Sequence, residues 1–301
     1  MNNLKIKKSL IPCLTMAAII LAGASFSSAS FANDITHSVR SDTEQIGSTE
    51  NYLELGIAYN QGSGPSFIGG GNANSAINGY YSRYGMIING SYSWNNIFFE
   101  NYSESGHGVV FGYNAFNNDN WSFDLTATTE WLKQSSFENN GRFGYVNNRD
   151  YSKEFTVGGR LIGYFGDNVV QFTANQDATG DHNGTTVSAQ IGRNWQVRNW
   201  NLHGILGVEY TSAKLNDFYV GVSEARAAHL SNFFEGFSAY DAGASVSFST
   251  ELGVTYPISE DWVFRATARA ATISDELIDS PYFKDKDSLG TSFRTSLSYV
   301  F

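Results

Sequence analysis

The segment NWSFDLTATTEWL, at 120–132, alternates apolar and polar side chains along most of its length. Trp121 and Phe123 fall on one face, and Ser122 and Asp124 fall on the other. Only an extended strand keeps these two sets apart, because a helix of the same sequence would mix them. The run is about as long as a β-strand that crosses a bilayer at a tilt. It therefore predicts a membrane-spanning strand.

Eleven other stretches are interpreted in the same way. With 121–131 they make about twelve strands, an even number as in single-chain bacterial barrels. They lie near 51–60, 80–94, 97–103, 107–117, 151–165, 169–176, 185–197, 200–213, 244–256, 262–273 and 291–301.

The connections between these strands sort by length. Every second one is short and polar, namely NN, NNDN, GDN, VRN and ISED, and the alternate ones are mostly long. The short ESG near 104–106 is the exception. This alternation predicts an all-β, transmembrane, antiparallel up-and-down β-barrel with short periplasmic turns, long extracellular loops and both termini in the periplasm. A soluble β-sandwich, the alternative, has no reason to sort its loops in this way.

The last strand, TSFRTSLSYVF, ends the chain on an aromatic residue. We expect it to pair with the first strand and so close the barrel. A terminal aromatic also resembles the signal by which the barrel-assembly machinery selects its clients. Its predicted outward face, interrupted by Thr295, carries Phe293, Leu297, Tyr299 and Phe301.

The N-terminus predicts export. MNNLKIKK places three lysines ahead of an apolar run that is too short to span a bilayer, and small residues precede Asn33. This is the pattern of a secretory signal peptide. We expect a signal peptide at 1–32, a flexible periplasmic tail at 33–49 and the outer-membrane barrel at 50–301. The single cysteine, Cys13, would leave with the signal.

Composition narrows the class of partner. Charged residues are 16% of the chain and the mean hydropathy is -0.27, whereas soluble domains carry about 25% charge. The net charge of -10 argues against nucleic acid, whose phosphates require a basic surface. Outer-membrane lipid and lipopolysaccharide are the expected surroundings, and the localisation predicted is the outer membrane of a Gram-negative cell.

Lumen-facing charges are expected to cross-link the barrel interior. We predict that Glu251 pairs with Arg265 or Arg269 on the neighbouring strand. With bulky inward groups, about twelve strands leave little room, so a plugged interior is favoured over a porin-like one. A small-solute channel remains the alternative. The inward positions are Asp124, Glu130, Arg160, Gln171, Gln190, Glu209, Glu251, Arg265, Arg269 and Arg294.

An enzyme at the outer rim is a second alternative, since some barrels are hydrolases that use a Ser or Asp activated by a His. The candidates are His107 near Ser105, His182 beside Asp181, and His229 in the longest loop. His37 lies in the tail and His203 lies near the periplasmic end of its strand. Each of these histidines is explained more simply as a polar residue of a loop or of the lumen than as a catalytic acid or base. No catalytic residue is therefore predicted.

Two acidic segments are candidate cation sites. They are DATGDHNG at 177–184 and SDELIDSPYFKDKDS at 274–288. Carboxylate oxygens suit divalent cations, but neither segment has a metal-binding repeat or EF-hand spacing. We predict no metal and no cofactor.

Three segments carry a family resemblance: FYVGVS at 218–223, YDAG at 240–243 and YPISEDW at 256–262. Together with the terminal strand they resemble the C-terminal half of the MipA/OmpV family of outer-membrane proteins. The resemblance implies an outer-membrane barrel that acts as a scaffold or surface interaction protein and is not an enzyme.

Two versions of that function follow from the resemblance. Some members resemble scaffolds that join a murein transglycosylase to a peptidoglycan synthase, and others resemble surface antigens or adhesins that bind host surface ligands. The first needs periplasmic surfaces, namely the tail and the ISED turn. The second needs the loops at 61–79, 134–150, 215–241 and 274–289.

Overall fold

Twelve antiparallel strands form a closed barrel in the structure, which is a computed structural model. Each strand pairs with its neighbours in sequence, and the first strand pairs with the last. The predicted up-and-down barrel is therefore confirmed. The structure describes residues 34–40, 51–64, 80–103, 108–129, 155–283 and 287–301.

The strands occupy nearly the predicted positions. In chain order they are β1 Tyr52–Ser63, β2 Tyr80–Trp94, β3 Ile97–Asn101, β4 Val109–Asn117, β5 Trp121–Thr129, β6 Phe155–Phe165, β7 Asn168–Asp177, β8 Thr185–Val197, β9 Trp200–Thr211, β10 Ser245–Pro257, β11 Trp262–Thr272 and β12 Leu289–Val300.

Side-chain burial follows the predicted alternation. In β5, Ser122 and Asp124 are fully buried inside the barrel, whereas Trp121 and Phe123 face outward and are half-buried. Outside, large apolar side chains are left uncovered for lipid. The most exposed on the strands include Ile57, Tyr84, Met86, Leu206, Phe248 and Leu252.

The short connections are tight hairpin turns. Between β2 and β3, Asn95 and Asn96 both have positive φ, 47° and 66°, which is the conformation of a type I′ turn. Gly166 between β6 and β7 and Arg198 between β8 and β9 also have positive φ. These turns lie on the side where both termini of the barrel lie, as the sequence predicts.

In the part of the chain that the structure describes, four helices are not part of the barrel wall: α1 Ile35–Ser38, α2 Ala213–Val220, α3 Glu224–Leu230 and α4 Asp275–Ile278. The stretch SEARAAHLSNFF at 223–234, in which Ser223 precedes helix-forming residues, predicts a short helix with Ser223 as its N-cap. This helix is α3, and the Ser223 hydroxyl accepts from the Arg226 N–H. The sequence predicts neither α2 nor α4. Within the described part of the chain, no helix is both long enough and apolar enough to cross a bilayer.

The seam between β1 and β12 is closely packed. Gly56 lies opposite Ser298 in the register, and the Phe301 N–H donates to the carbonyl of Leu53 at 2.9 Å. The Phe301 ring is 68% exposed and lies 4.7 Å from the ring of Tyr299. The terminal aromatic thus belongs to the outward face, as predicted.

Deleting Phe301 should lower the yield of assembled barrel. The deletion removes the last backbone hydrogen bond of the seam and the exposed terminal aromatic. The measurement is the heat-modifiable fraction of the protein in outer-membrane preparations, with Phe301→Tyr as a control that keeps an aromatic end. Full assembly of the deletion variant would contradict this role.

Candidate functional site: a filled lumen beneath an extracellular cap

Residues 34–40, here called the plug, lie inside the barrel. Ile35 and Val39 are 0% and 1% exposed and pack against inward apolar side chains of β6, β7 and β9. The sequence predicts a flexible periplasmic tail at 33–49, so the described part of that segment differs from the prediction. The partners in this apolar contact are Ile162, Val169, Ile205 and Tyr164.

A glycine in β8 makes room for the plug. A Cβ atom built on Gly192 would lie 2.7 Å from Val39 Cγ1 and 3.4 Å from Ile35 Cδ1. The first distance is too short for real carbon atoms, so the plug and the bare backbone of Gly192 fit directly against each other. A side chain at this position would displace the plug or the strand.

One polar anchor lies at the start of the plug. The Gln171 amide of β7 accepts from the Ile35 N–H at 2.9 Å and donates to an Asp34 carboxylate oxygen at 3.1 Å. Asp34 also caps α1 by accepting from the Thr36 N–H at 3.0 Å. Buried polar groups require such partners, because each unmade hydrogen bond is costly.

A second anchor lies at the end of the plug, where the Arg40 guanidinium forms an ion pair with Glu251 of β10. His203 Nε2 of β9 lies 3.1 Å from the same Glu251 oxygen, and all three side chains are buried. The predicted pairing of Glu251 with Arg265 or Arg269 is therefore wrong. Arg269 lies opposite Glu251 in the register, but the carboxylate of Glu251 pairs with Arg40 of the plug.

The middle of the plug contacts the opposite wall. The His37 ring lies 4.9 Å from Tyr52 in β1 and 5.0 Å from Tyr102, which follows β3. On the other side, the Ser38 hydroxyl is 3.0 Å from the Tyr164 hydroxyl of β6. The plug thus crosses the lumen from one wall to the other.

A buried charge cluster, here called the Arg160 cluster, joins β3, β5 and β6. Arg160 donates to Glu100 at 2.7 and 3.1 Å and to Asp124 at 3.0 and 3.1 Å. Asn114 of β4 donates to the other Asp124 oxygen at 2.7 Å. A polar cavity of about 20 Å³ borders this cluster and the plug, with room for one or two water molecules. The predicted cross-linking of the lumen is borne out here.

A second cluster, here called the seam cluster, bridges the two ends of the barrel sheet. Glu54 of β1 forms an ion pair with Arg265 of β11 and accepts a hydrogen bond from Ser298 of β12. Asn89 of β2 donates to the second Glu54 oxygen at 3.2 Å. Four strands around the seam are therefore joined by inward side chains.

The extracellular loops after β9 and β11 form a folded cap. Its first apolar core includes Val222, Leu230 and Phe237, and Tyr282 of the second loop packs into it. A second core joins Val220, Ala242 and Phe283. A hydrogen bond of 2.6 Å from the Ser280 hydroxyl to the Val220 carbonyl also links the two loops.

The cap contains two of the segments that carry the family resemblance. Val222 and Tyr240 exchange backbone hydrogen bonds at 2.8 and 2.9 Å, so FYVGVS and YDAG form a small β-bridge. Gly243 then donates its N–H to a Glu276 carboxylate oxygen at 2.9 Å. Burial, with the carboxylates of Glu276 and Asp279 nearby, raises the pKa of the Tyr240 phenol.

The candidate histidines occupy structural positions. The Nδ1 atom of His182 accepts from the Gly184 N–H at 2.8 Å, and its ring contacts Phe218. His229 lies in α3 with its ring 5.6 Å from Phe233, and His203 lies in the lumen. His107 and its neighbour Ser105 fall outside the described residues. The alternative of a rim hydrolase gains no support from these placements.

The first acidic segment is organised by hydrogen bonds. The Asp177 carboxylate accepts from the backbone N–H groups of Thr179, His182 and Asn183. It therefore shapes the β7–β8 loop from within. In the ranges that the structure describes, no group of three or more His, Cys, Asp or Glu side chains is placed to hold a metal ion.

The other predicted inward positions agree with the register where the structure describes them. Gln190 lies opposite Gln171, and Arg294 reaches across to the Ser103 carbonyl at 3.2 Å. Glu130 lies outside the described residues. The plug gives only a weak signal in the sequence, because it has just two apolar side chains, Ile35 and Val39. Their four-residue spacing, with Asp34 before them as an N-cap residue, is the signal that could have indicated a short helix.

Comparison with known proteins identifies the family. A family model described as MltA-interacting protein MipA matches residues 62–301. The chain is 34% identical over 96 residues to the MltA-interacting protein of Escherichia coli (strain K12), covering 32% of this chain and 36% of that protein. It is 27% identical over 132 residues to "Putative outer membrane protein YiaT" of the same strain, covering 44% and 51%. The chain thus spans about a third to a half of the length of these relatives.

Solved structures resemble the barrel more distantly. A bacterial polysaccharide outer membrane secretin gives a TM-score of 0.37 at 10% identity, covering 83% of this chain and 98% of that one. The NanC porin gives 0.36 at 11% identity, covering 83% and 99%. These scores support no functional comparison. The family model, however, matches most of the chain, and so this protein, an outer-membrane β-barrel, belongs to the MltA-interacting protein MipA family.

Proposed function

We propose that the protein is an outer-membrane scaffold whose periplasmic face binds a murein transglycosylase, and through it a peptidoglycan synthase. The family supports this assignment, as does the similarity to the MltA-interacting protein of E. coli. The observation that carries the proposal is the filled periplasmic half of the lumen. Because plug and charge clusters occupy it, this end of the barrel presents a surface to the periplasm.

The ISED turn between β10 and β11 is the best placed part of that surface. Ile258 is 57% exposed, although its N–H is fixed by the Trp262 carbonyl at 2.8 Å. The Asp261 carbonyl accepts from the Val300 N–H at 2.8 Å, which ties the turn to the last strand. An exposed apolar side chain on a rigid turn beside carboxylates is suited to protein contact. Six of the seven plug residues are buried, so the plug itself offers little surface for a partner.

The extracellular cap favours a second function, the binding of host surface ligands as an adhesin. The cap has its own apolar cores, and Phe233 on its surface is 69% exposed. These cores hold the loops in one conformation, so the exposed surface of the cap is preorganised for binding. Lipopolysaccharide around the barrel rim is the other proposed extracellular partner, and lipid covers the outward apolar side chains.

Two matched substitutions separate the scaffold from the adhesin. Ile258→Asp on the periplasmic turn should weaken capture of a purified murein transglycosylase by at least about tenfold, as expected for an interface hot spot. Phe233→Asp on the cap should leave that capture unchanged. The measurement is affinity by biolayer interferometry on the detergent-solubilised barrel.

The opposite pattern of results would favour the adhesin function of the cap. If Phe233→Asp abolishes adhesion to host cells while Ile258→Asp leaves transglycosylase capture intact, the periplasmic scaffold is wrong at this turn. Both variants change an exposed apolar side chain to aspartate, so differences between them report on the face and not on the chemistry of the change.

A further inference from the structure

We propose that the plug is a displaceable gate and that the barrel is a latent, cation-preferring channel for small polar solutes. This goes beyond the scaffold function and does not depend on it. The plug closes the lumen because its seven residues reach both walls. They contact β1 and the residue after β3 on one side, and β6 to β10 on the other.

The plug is held by side chains and not by the sheet. Its N–H groups at 37–40 donate to carbonyls of the plug itself, and the Ile35 N–H donates to the Gln171 side chain. No strand pairing therefore breaks when the plug leaves, judged on the residues that the structure describes. A helix of four residues also has little stability of its own away from these contacts.

The barrel wall has its own supports. The Arg160 cluster links β3, β4, β5 and β6, and the seam cluster links β1, β2, β11 and β12. Asp34 of the plug borders the Arg160 cluster, but the hydrogen bonds described above join wall side chains to each other. Losing the plug should therefore open the lumen and leave the barrel folded. This separates a gate from a core element, whose loss would unfold the protein.

The Arg40–Glu251 ion pair is the latch. Glu251 lies on the barrel wall and Arg40 lies at the end of the plug, so the pair fixes one element to the other. His203 approaches the same carboxylate, and a Cβ on Gly253 would lie 2.4 Å from the His203 ring, so this ring is tightly placed. Removing one charge from a buried pair leaves the other uncompensated, which strongly disfavours the closed arrangement.

The open lumen should prefer cations. With the plug displaced, the inward charges around the two clusters and Glu251 are the carboxylates of four residues against three arginines, Arg160, Arg265 and Arg269. Inward carboxylates draw cations into a pore and repel anions. The four are Glu54, Glu100, Asp124 and Glu251.

Single-channel recording in planar bilayers tests the gate, with potassium chloride as the probe. The wild-type barrel should be closed most of the time, and Arg40→Glu should raise the open probability at least tenfold by repelling Glu251. The double exchange Arg40→Glu with Glu251→Arg should restore closure. Arg193→Glu is the matched control, because Arg193 pairs with Asp167 at an exposed site.

A disulfide provides a second, independent test. The native chain has one cysteine, Cys13, in the predicted signal peptide, so Val39→Cys with Gly192→Cys introduces one defined pair. The Cβ at position 192 would lie 2.7 Å from the Val39 Cγ1 position, which is too close for unbonded atoms but suits a sulfur bonded across a disulfide. In the Arg40→Glu background, the oxidised pair should keep the barrel closed and dithiothreitol should open it. With a potassium chloride gradient across the bilayer, the reversal potential of the open state should have the sign expected for a channel that passes potassium more readily than chloride.

Two results would overturn the proposal. In the first, the Arg40→Glu variant and a variant that lacks residues 34–40 are both folded, as heat modifiability shows, and yet both stay closed. The other is a wild-type barrel that conducts as freely as these variants. A reversal potential of the opposite sign, which indicates that chloride passes more readily, would overturn the cation preference. Transglycosylase capture, measured on the same variants, reports separately on the scaffold.

Discussion

Replacing Arg160 with methionine should destabilise the barrel by about 3–5 kcal/mol, because it leaves two buried carboxylates without their cation. Glu100 and Asp124 are 2% and 0% exposed, and Arg160 donates to both. The aliphatic stem of methionine keeps most of the volume, so the loss reports on charge. The free energy of unfolding in detergent, from guanidinium titration, is the measurement.

The same change at an exposed arginine is the control. Arg193 pairs with Asp167 at 3.3 Å, and both side chains are about half exposed. Water and salt screen such a pair, so Arg193→Met should cost about 0–1 kcal/mol. A triple variant, Arg160→Met with Glu100→Gln and Asp124→Asn, should recover part of the stability. Equal losses for the two single methionine variants would show that the buried cluster has no special role.

Adding a methyl group at Gly56 should have the next largest effect. The new Cβ would lie 2.5 Å from the Leu297 carbonyl oxygen and 2.6 Å from Ser298 Cβ, so β1 and β12 would have to separate. Overpacking of this kind costs about 1–3 kcal/mol or more. Since the clash falls at the seam, Gly56→Ala should also slow closure of the barrel. Folding into lipid vesicles, followed by heat modifiability against time, measures this.

Gly204 supplies the comparison for the seam. A Cβ at Gly204 in β9 would meet only Leu252 Cδ2 at 3.4 Å and the Trp195 ring at 3.6 Å, which are ordinary contacts. Gly204→Ala should therefore fold at the wild-type rate. If Gly56→Ala closes as fast as Gly204→Ala, the seam is not sterically limited at this position.

The barrel could be predicted from sequence because its rules are local. The alternation that places Ser122 and Asp124 inside β5 is set by neighbouring residues, and the turn at Asn95 and Asn96 is set by its own backbone. The cap of α3 by Ser223 is equally local. Each of these features depends on residues close together in the chain, so a single sequence contains the whole signal.

The contents of the lumen could not be predicted because they depend on contacts across the chain. Gln171 meets Asp34 from 137 positions away, and Arg40 meets Glu251 from 211 positions away. A polar segment such as the plug looks like a tail in sequence, because its partners are the polar side chains of the lumen. The sequence pattern predicts an ion pair between Glu251 and an arginine of the neighbouring strand, because it gives no sign that the plug lies inside the barrel.

The bridge between Val222 and Tyr240 changes what the family signature reports. Two of the three segments that carry the family resemblance, FYVGVS and YDAG, lie within the cap, where Val220 and Val222 are each 2% exposed. Phe233, which lies between these two segments in the sequence, is 69% exposed. Recognition of a new sequence through these segments therefore gives the framework of the cap and not its ligand. Two relatives can share the framework and present unrelated surfaces to the outside, as antibody domains do with their loops.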